Sequence, residues 1–281
     1  MTYWALNDKL RSQWIKKGLK EGDATLTGQN EQEEGLIRPM KTKRDPSVGP
    51  DALMVMIPAD VEYLLKRAPF GDFACLDQGF FKIHQVRREE RNSLTFCGPF
   101  LGAPQAVMGM EKLIALGARR VWVLGWCGSI HPDLKVGDLI VPTGAVSEEG
   151  TSQHYPIAPR KAATDHELSR LLGQALAREE KPYRRGTVWT TDAPYRETPS
   201  KVAQYRNQGV LAVEMEMSAL MTLSVYRSVR LAALLVVSDE LSDLKWHAGF
   251  RIPRFKEMSR FAADFLFRLV ERGVDPRKRI G

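Results

Sequence analysis

The stretch LAVEMEMSALMTLSVYRSVRLAALLVVSDELSD, residues 211–243, decides the predicted fold class of this chain. The apolar side chains of residues 217–225 are dense enough for a packed helix, and residues 231–237 form an unbroken apolar run that predicts a buried strand. Asp239 follows that run, at the strand end where open α/β sheets place their ligand crevices. Because Glu216 stands at the start of the helix, it would face the same crevice. One site could therefore hold two acids with different roles.

Each of these acids also has a purely structural explanation. An acid in the first turn of a helix interacts favourably with the helix dipole, which suits Glu216. Ser-Asp is a common choice for capping a following turn or helix, which suits Asp239. The spacing of the two residues alone leaves both interpretations open.

The composition suits a single α/β domain. The chain has 281 residues, of which 43% are hydrophobic, so it can bury a large core. Its three cysteines, Cys75, Cys97 and Cys127, lie in apolar surroundings without the spacing of metal ligands. We therefore expect buried reduced thiols and no metal site or cofactor.

Charge and hydropathy argue against two classes of partner. The net charge of +7 comes from scattered basic residues without a recognisable nucleic-acid-binding motif, so we expect a solvated basic surface and no nucleic-acid partner. No run approaches the about 20 apolar residues that span a bilayer, and the N-terminus lacks the apolar region of a signal peptide. The sequence predicts a cytoplasmic protein without a membrane partner.

The pattern outside the central stretch predicts alternating strands and helices. Predicted strands cover residues 52–57, 80–86, 93–97, 121–124, 136–142 and 186–190, and predicted helices cover residues 61–67, 105–116 and 165–177. Residues 1–51 are predicted to form an N-terminal extension, partly loop, which opens with a short amphipathic helix at residues 3–19.

Three motifs in order carry a family resemblance. They are CGPFLGAPQAVMGMEKLIALGARRVWVLGWCGSIHPDLKVGDLIVP at residues 97–142, VEMEMSAL at residues 213–220 and VVSDEL at residues 236–241. Together they resemble the nucleoside phosphorylase superfamily, which includes purine nucleoside phosphorylases, uridine phosphorylases and methylthioadenosine nucleosidases. The resemblance runs from about residue 52 to about residue 269. It implies a single α/β domain at residues 52–281, with a central mixed, partly barrel-like β-sheet flanked by helices in three layers.

The resemblance also implies roles for individual residues. Glu216 would accept hydrogen bonds from the ribose hydroxyls, and Met215 would pack on the sugar face. Asp239 would be the general acid that protonates a purine ring nitrogen, with Arg251 as its assistant. Ser238 would belong to the base site beside Asp239.

Tyr195 is the residue that would cover the base, with simple core packing as the alternative. Uridine phosphorylases follow this position with a glutamine and an arginine that recognise the pyrimidine edge, and Arg196-Glu-Thr-Pro199 does not reproduce that pair. Asp239 resembles the acid of the purine-specific members. Together these features favour a purine-type base.

The phosphate site of the family is where this sequence departs from the pattern. The positions that bind phosphate in the phosphorylases correspond here to Ala59, Tyr63, Val123 and Trp126. A dianion in a cleft needs fixed cationic or hydrogen-bonding donors, and these side chains offer only one hydroxyl and one indole N–H. The sequence therefore predicts a degenerate phosphate site.

Three functions follow from the resemblance and its departures. The first is a nucleoside phosphorylase of purine salvage, a pentosyltransferase for which the family presumes phosphate as the acceptor. The second is a nucleosidase that uses water, with Glu62 as the one candidate for a general base. The third is a nucleoside-binding protein without turnover. The expected ligands are a nucleoside and inorganic phosphate, and the family predicts a homo-oligomer.

Overall fold

The computed structural model describes residues 35–43, 45–67, 73–86, 94–157 and 162–273. The chain divides into two units, Met1–Arg38 and Pro39–Gly281. In the first unit the described residues 35–38 are exposed, and the helix predicted at residues 3–19 lies outside the described residues. All the elements named below belong to the second unit.

The described residues form ten strands and six α-helices. The strands are β1 (Asp51–Val55), β2 (Phe73–Asp77), β3 (Lys82–Val86), β4 (Leu94–Gly98), β5 (Arg120–Ser129), β6 (Leu139–Glu148), β7 (Tyr183–Thr191), β8 (Ala212–Glu214), β9 (Arg230–Glu240) and β10 (His247–Ala248). The helices are α1 (Pro58–Arg67), α2 (Ala103–Leu116), α3 (His166–Arg178), α4 (Pro199–Asn207), α5 (Met217–Tyr226) and α6 (Pro253–Arg272). Short 3₁₀ turns cover Ser152–His154 and Pro194–Arg196.

One mixed sheet organises the second unit. Its strand order is β10-β9-β6-β7-β8-β5-β1-β4-β3-β2, and β9 also pairs with β5. That additional pairing closes β5, β6, β7, β8 and β9 into a barrel. β5 runs parallel to β1 and β9 and antiparallel to β8. The expected α/β domain with a mixed, partly barrel-like sheet flanked by helices is confirmed.

The sheet is covered by helices on both faces, which explains the unbroken apolar runs in its central strands. In β5, Val121 and Val123 pack into a core with α2 and α5, whereas Trp122 and Leu124 pack into a second core with α1, α3 and α6. The residues of β9 alternate between the same two cores. A strand buried on both faces needs apolar residues at every position, because successive side chains point to opposite faces.

The central stretch folds as predicted, with longer boundaries. The helix expected at residues 217–225 is α5, and the strand expected at residues 231–237 is β9, which continues to Glu240. Asp239 therefore lies within the last residues of the strand instead of following it. The strand expected at residues 121–124 continues through Gly125 to Ser129. A Cβ at Gly125 would lie only 3.1 Å from Leu235, so the missing side chain lets β5 and β9 stay close.

The expectation of three buried cysteines is wrong for one of them. Cys97 and Cys127 are buried, but Cys75 is exposed. Cys75 lies on β2, which the sequence analysis did not predict and which forms the edge of the sheet. Across the described ranges, no helix is long and apolar enough to cross a membrane.

Candidate functional site

Four neighbouring strands bring the predicted acids to one end of the barrel. Gly128 of β5 pairs with Val213 of β8 and with Asp239 of β9. Thr190 of β7 pairs with Glu214, the last residue of β8. The chain then enters α5 immediately after this point, so the VEME motif and Asp239 flank the same strand end.

Glu214 fixes the start of α5. The hydroxyl of Thr190 donates to Oε1 of Glu214, and the backbone N–H groups of Glu216 and Met217 donate to Oε2, each at 2.7 Å. Thr190 Oγ1 in turn accepts the backbone N–H of Ser218 at 2.9 Å. Burial raises the pKa of Glu214, and its three donors work against that shift. Glu214 thus holds the loop that presents the next two residues.

Glu216 and Met215 sit directly on this support. Glu216 is buried at the N-cap position of α5, and its Oε1 accepts the backbone N–H of Gly102 at 2.6 Å. Gly102 has a φ of +80°, a conformation that favours glycine, so the loop before α2 can reach the carboxylate. Burial and the charge of Glu214 raise the pKa of Glu216. Met215 is half-buried beside it.

Asp239 has a donor on each carboxylate oxygen. Ser238 Oγ donates to Oδ1 at 2.6 Å, and the indole Nε1–H of Trp246 donates to Oδ2 at 3.0 Å. Burial raises the pKa of Asp239, and both donors oppose that rise. The pairing partner is Gly128, and a Cβ there would lie 2.9 Å from Oδ2 of Asp239, so glycine leaves room for the carboxylate. The geometry therefore holds a carboxyl group that binds a proton more readily than an exposed aspartate.

Two neighbours of Asp239 owe their place beside it to the fold. The bond from Trp246 to Asp239 depends on the pairing of β10 with β9, which the sequence pattern did not predict. Glu197 is half-buried, and burial together with the negative charge of Asp239 raises its pKa to about 7. In the sequence, Glu197 belongs to the segment Arg196-Glu-Thr-Pro199, which follows Tyr195. Its position two residues after the predicted base-covering residue was the one signal that could have pointed to it.

Two further predicted residues lie at the surface. Tyr195 is 100% exposed in the 3₁₀ turn Pro194–Arg196, which excludes simple core packing. Arg251 is exposed in the turn before α6. Within the described residues the hydrogen bonds to the Asp239 carboxylate come from Ser238 and Trp246. The assistance of Arg251 and the base contact of Tyr195 stay predictions.

The four degenerate phosphate positions are distributed between surface and core. Ala59 is exposed at the start of α1, and Val123 is completely buried in the core with α2 and α5. The hydroxyl of Tyr63 donates to Asp264 of α6 at 2.9 Å. Val123 therefore serves the packing of the sheet, and Tyr63 joins α1 to α6.

Trp126 fills its position together with a buried acid. Its Nε1–H donates to Oδ2 of Asp60 at 2.8 Å, and Ser259 Oγ donates to Oδ1 at 2.7 Å. The indole packs edge-on against Phe255, with ring centroids 4.7 Å apart, and tilted against Phe250 at 6.1 Å. Burial raises the pKa of Asp60 to about 6. At neutral pH this carboxylate would repel a second anion.

The described residues contain no cluster of three or more histidine, cysteine, aspartate or glutamate side chains that could hold a metal ion. The polar groups described above around Glu216 and Asp239 are carboxyl groups, hydroxyls, an indole N–H and backbone N–H donors. Such a set suits a neutral, hydroxyl-rich ligand with basic ring nitrogens.

The sequence matches the family model described as phosphorylase superfamily over residues 50–274. Among curated relatives, it is 33% identical to a guanosine phosphorylase of Halorubrum lacusprofundi over 149 residues, which are 53% of this chain and 61% of that protein. It is 34% identical to a DeoD-type purine nucleoside phosphorylase of Myxococcus xanthus over 164 residues, 54% of this chain and 69% of that protein.

Solved structures share the fold. A uridine phosphorylase of Vibrio fischeri superposes with a TM-score of 0.70 and 22% identity, covering 81% of this chain and 93% of that one. A purine nucleoside phosphorylase of Toxoplasma gondii, in complex with immucillin-H, superposes with a TM-score of 0.71 and 21% identity, covering 80% and 92%. With the family model matched from residue 50 to residue 274, the chain belongs to the phosphorylase superfamily.

Proposed function

We propose that this chain cleaves the N-ribosidic bond of a purine-type nucleoside. The observation that carries the proposal is the convergence of Glu216 and Asp239 at one end of the barrel, where β8, α5 and β9 flank Gly128 of β5. The named relatives, a guanosine phosphorylase and purine nucleoside phosphorylases, act on purine nucleosides according to their names.

The two acids suit the charges that this reaction develops. Cleavage leaves positive charge on the sugar and negative charge on the departing base. Asp239, whose pKa burial raises, donates a proton to the ring nitrogen of the base as the bond breaks. Such general acid catalysis typically contributes about 10²–10⁴ in rate. Ser238 and the exposed ring of Tyr195 complete the base site.

Glu216 and Met215 serve the sugar. The Glu216 carboxylate, held by the backbone N–H of Gly102, accepts hydrogen bonds from the ribose hydroxyls. Met215 packs against the sugar face, and its half-buried side chain suits a position that becomes covered on binding. Ribose recognition and base protonation thus come from different elements.

The group that accepts the ribosyl unit, phosphate or water, is where this chain differs from the family pattern. Phosphate is the acceptor that membership of the family presumes. At Trp126, however, the indole N–H is already bonded to Asp60, whose carboxylate repels an anion at neutral pH. This observation favours water, which is the acceptor of the nucleosidase alternative. Glu62, the candidate base for that water, is exposed on α1.

A nucleoside panel with and without phosphate separates these possibilities. Base release and the sugar product would be followed chromatographically for purine and pyrimidine nucleosides. We expect purine release that does not depend on phosphate and yields free ribose. Phosphate-dependent release of ribose 1-phosphate would restore the phosphorylase, and the absence of release from every nucleoside would leave a binding protein without turnover.

The first variant to measure is Asp239→Asn. It keeps the size of the side chain but removes the transferable proton, so base release should fall by about 10² or more while nucleoside binding persists. Asp133→Asn is a matched control, because Asp133 is an exposed aspartate in the turn between β5 and β6. Unchanged turnover in Asp239→Asn would remove Asp239 from the mechanism.

The cellular setting belongs to the same proposal. It includes a purine salvage role, a cytoplasmic location and a homo-oligomeric assembly, as the family resemblance implies. Size-exclusion chromatography with light scattering would measure the assembly directly.

A further inference from the structure

The segment after β9 folds back over Asp239. Strand β10 pairs antiparallel with the end of β9, so that His247 lies opposite Glu240 and Ala248 opposite Asp239. The connecting turn is fastened by a backbone bond from Leu244 to Leu241 at 2.9 Å and by the His247–Asp243 side-chain contact at 2.9 Å. This hairpin delivers Trp246 to the carboxylate.

Trp246 is unusual because it combines a specific hydrogen bond with a large exposed surface. The residue is 64% exposed, and its ring lies 6.4 Å from that of Phe250, measured between ring centroids. An aromatic residue that leaves most of its surface in water contributes little core packing. Its indole N–H nevertheless meets Oδ2 of Asp239 at 3.0 Å. Packing alone therefore does not account for Trp246.

We infer that Trp246 is a positioning residue that orients the carboxyl group of Asp239 for proton donation to the base. The inference rests on the proposed cleavage of an N-ribosidic bond. A protonated carboxyl oxygen donates its own hydrogen and still accepts one more hydrogen bond. Oδ2 of Asp239 can therefore keep the Trp246 N–H while its O–H points to the ring nitrogen. Ser238 pins the other oxygen, so the two donors fix the plane of the group.

The neutrality of the indole matters for this role. The groups that face Asp239 from the described elements are Ser238 and Trp246 through hydrogen bonds, Cys127 from β5 and Glu197 from the segment before α4. None of these four is a cation. A guanidinium at the place of the indole would favour the ionised carboxylate, whereas a neutral N–H orients it and leaves it able to hold a proton.

The test separates the N–H from the ring. Trp246→Phe keeps an aromatic ring without the donor, and Trp246→Gln keeps a neutral N–H donor without the ring. We expect kcat to fall by about tenfold in Trp246→Phe and to be largely retained in Trp246→Gln. Lys245→Ala, which changes the exposed neighbour of Trp246, is the matched control and should behave as wild type.

The pH profile supplies a readout that a structural role would not move. A general acid must be protonated, so the rate falls as pH rises through its pKa. Removing a donor that stabilises the carboxylate raises that pKa, and the falling limb in Trp246→Phe should move to higher pH. In an Asp239→Asn background, Trp246→Phe should cause no further loss, because the indole acts only through the carboxyl group.

Three outcomes would overturn the inference. In the first, Trp246→Phe behaves as wild type. In the second, both Trp246 variants lose kcat equally and the falling limb of the pH profile does not move, and in the third, the loss from Trp246→Phe adds to that from Asp239→Asn. Absence of base release by the wild type would instead overturn the proposed function. In that case, tryptophan fluorescence tests the contact between Trp246 and Asp239 without any need for turnover. The emission of Trp246, obtained as wild type minus Trp246→Phe, should change with pH as Asp239 titrates. The same difference measured in an Asp239→Asn background should show no such transition. A wild-type difference that does not change with pH would refute the contact.

Discussion

Gly128 is the single residue on which the geometry around Asp239 depends most closely. A Cβ there would lie 2.7 Å from Leu241, 2.9 Å from the Asp239 carboxylate and 3.3 Å from Val213. Two of these separations are shorter than non-bonded contacts allow, so the side chains of Leu241 and Asp239 would have to shift. The absence of a side chain at Gly128 thus leaves the space that the carboxylate of Asp239 occupies.

Gly128→Ala should therefore reduce both stability and base release. Overpacking of this kind typically costs about 1–3 kcal/mol, measured as the free energy of unfolding in urea. The control is Gly144→Ala, because the nearest atom to a Cβ at Gly144 is 3.8 Å away, an ordinary contact. Equal stability and activity of the two variants would mean that the site absorbs a methyl group and that Asp239 is held less tightly than the structure indicates.

The residues of the site differ in how far the sequence could predict them. Glu216 and Asp239 stand in motifs that resemble a known family, so they were identified without a structure. Asp60 could not be, since its partner Ser259 is 199 positions away and only the packing of α1 against α6 joins them. Glu197 and Trp246 acquire their roles from a turn and a hairpin. No periodicity in the sequence specifies which group such segments will face.

At the scale of elements, α1, β5 and α6 are joined through Asp60. Trp126 of β5 and Ser259 of α6 donate to the two oxygens of this one carboxylate at the start of α1. The helices and strands themselves were predictable because both faces of the sheet are buried and the apolar runs are long. The sequence did not predict the edge strand β2. Exposed residues such as Cys75 alternate with half-buried ones along it, so it lacks a long buried apolar run.

Asp60→Asn should remove a pH dependence from the stability of this junction. The pKa of Asp60 is raised from 3.8 to about 6, so the folded state holds the proton more tightly than the unfolded state. Its contribution is complete below about pH 4 and is lost as pH rises through 6, by up to about 3 kcal/mol. In urea unfolding, wild type should lose stability relative to Asp60→Asn across that window. A constant difference would contradict the shift, and Asp133→Asn, at an exposed position, is the control.

At the scale of the whole molecule, the site gathers acids whose protonated forms are favoured by burial. The residues with raised pKa values are Asp60, Glu197, Glu214, Glu216 and Asp239. Acids with lowered pKa values, such as Glu148 and Asp165, are ionised in folded and unfolded states alike above about pH 5. Their contribution to the free energy of unfolding therefore stays constant above about pH 5, where the five acids with raised pKa values begin to lose stabilisation. The protein should therefore be most stable in mildly acidic solution.

The midpoint of thermal unfolding should fall as pH rises from about 5 to about 8, and Glu197→Gln should make that fall smaller. The pKa of Glu197 is raised to about 7, so its ionisation in this window favours the unfolded state. Glu62→Gln, on the exposed surface of α1, should follow wild type. A wild-type midpoint that rises over this range would show that the site acids are already ionised in the folded protein.

The two cores on either side of the sheet have a consequence for how this chain can change over generations. Trp126 packs with α1 and α6 in one core, whereas α5, which begins at Glu216, packs into the other. Under the proposed function, the acceptor position at Trp126 and the sugar contact at Glu216 are therefore supported by different cores. Libraries varied around Trp126 should change the acceptor while leaving the packing of α5 unchanged.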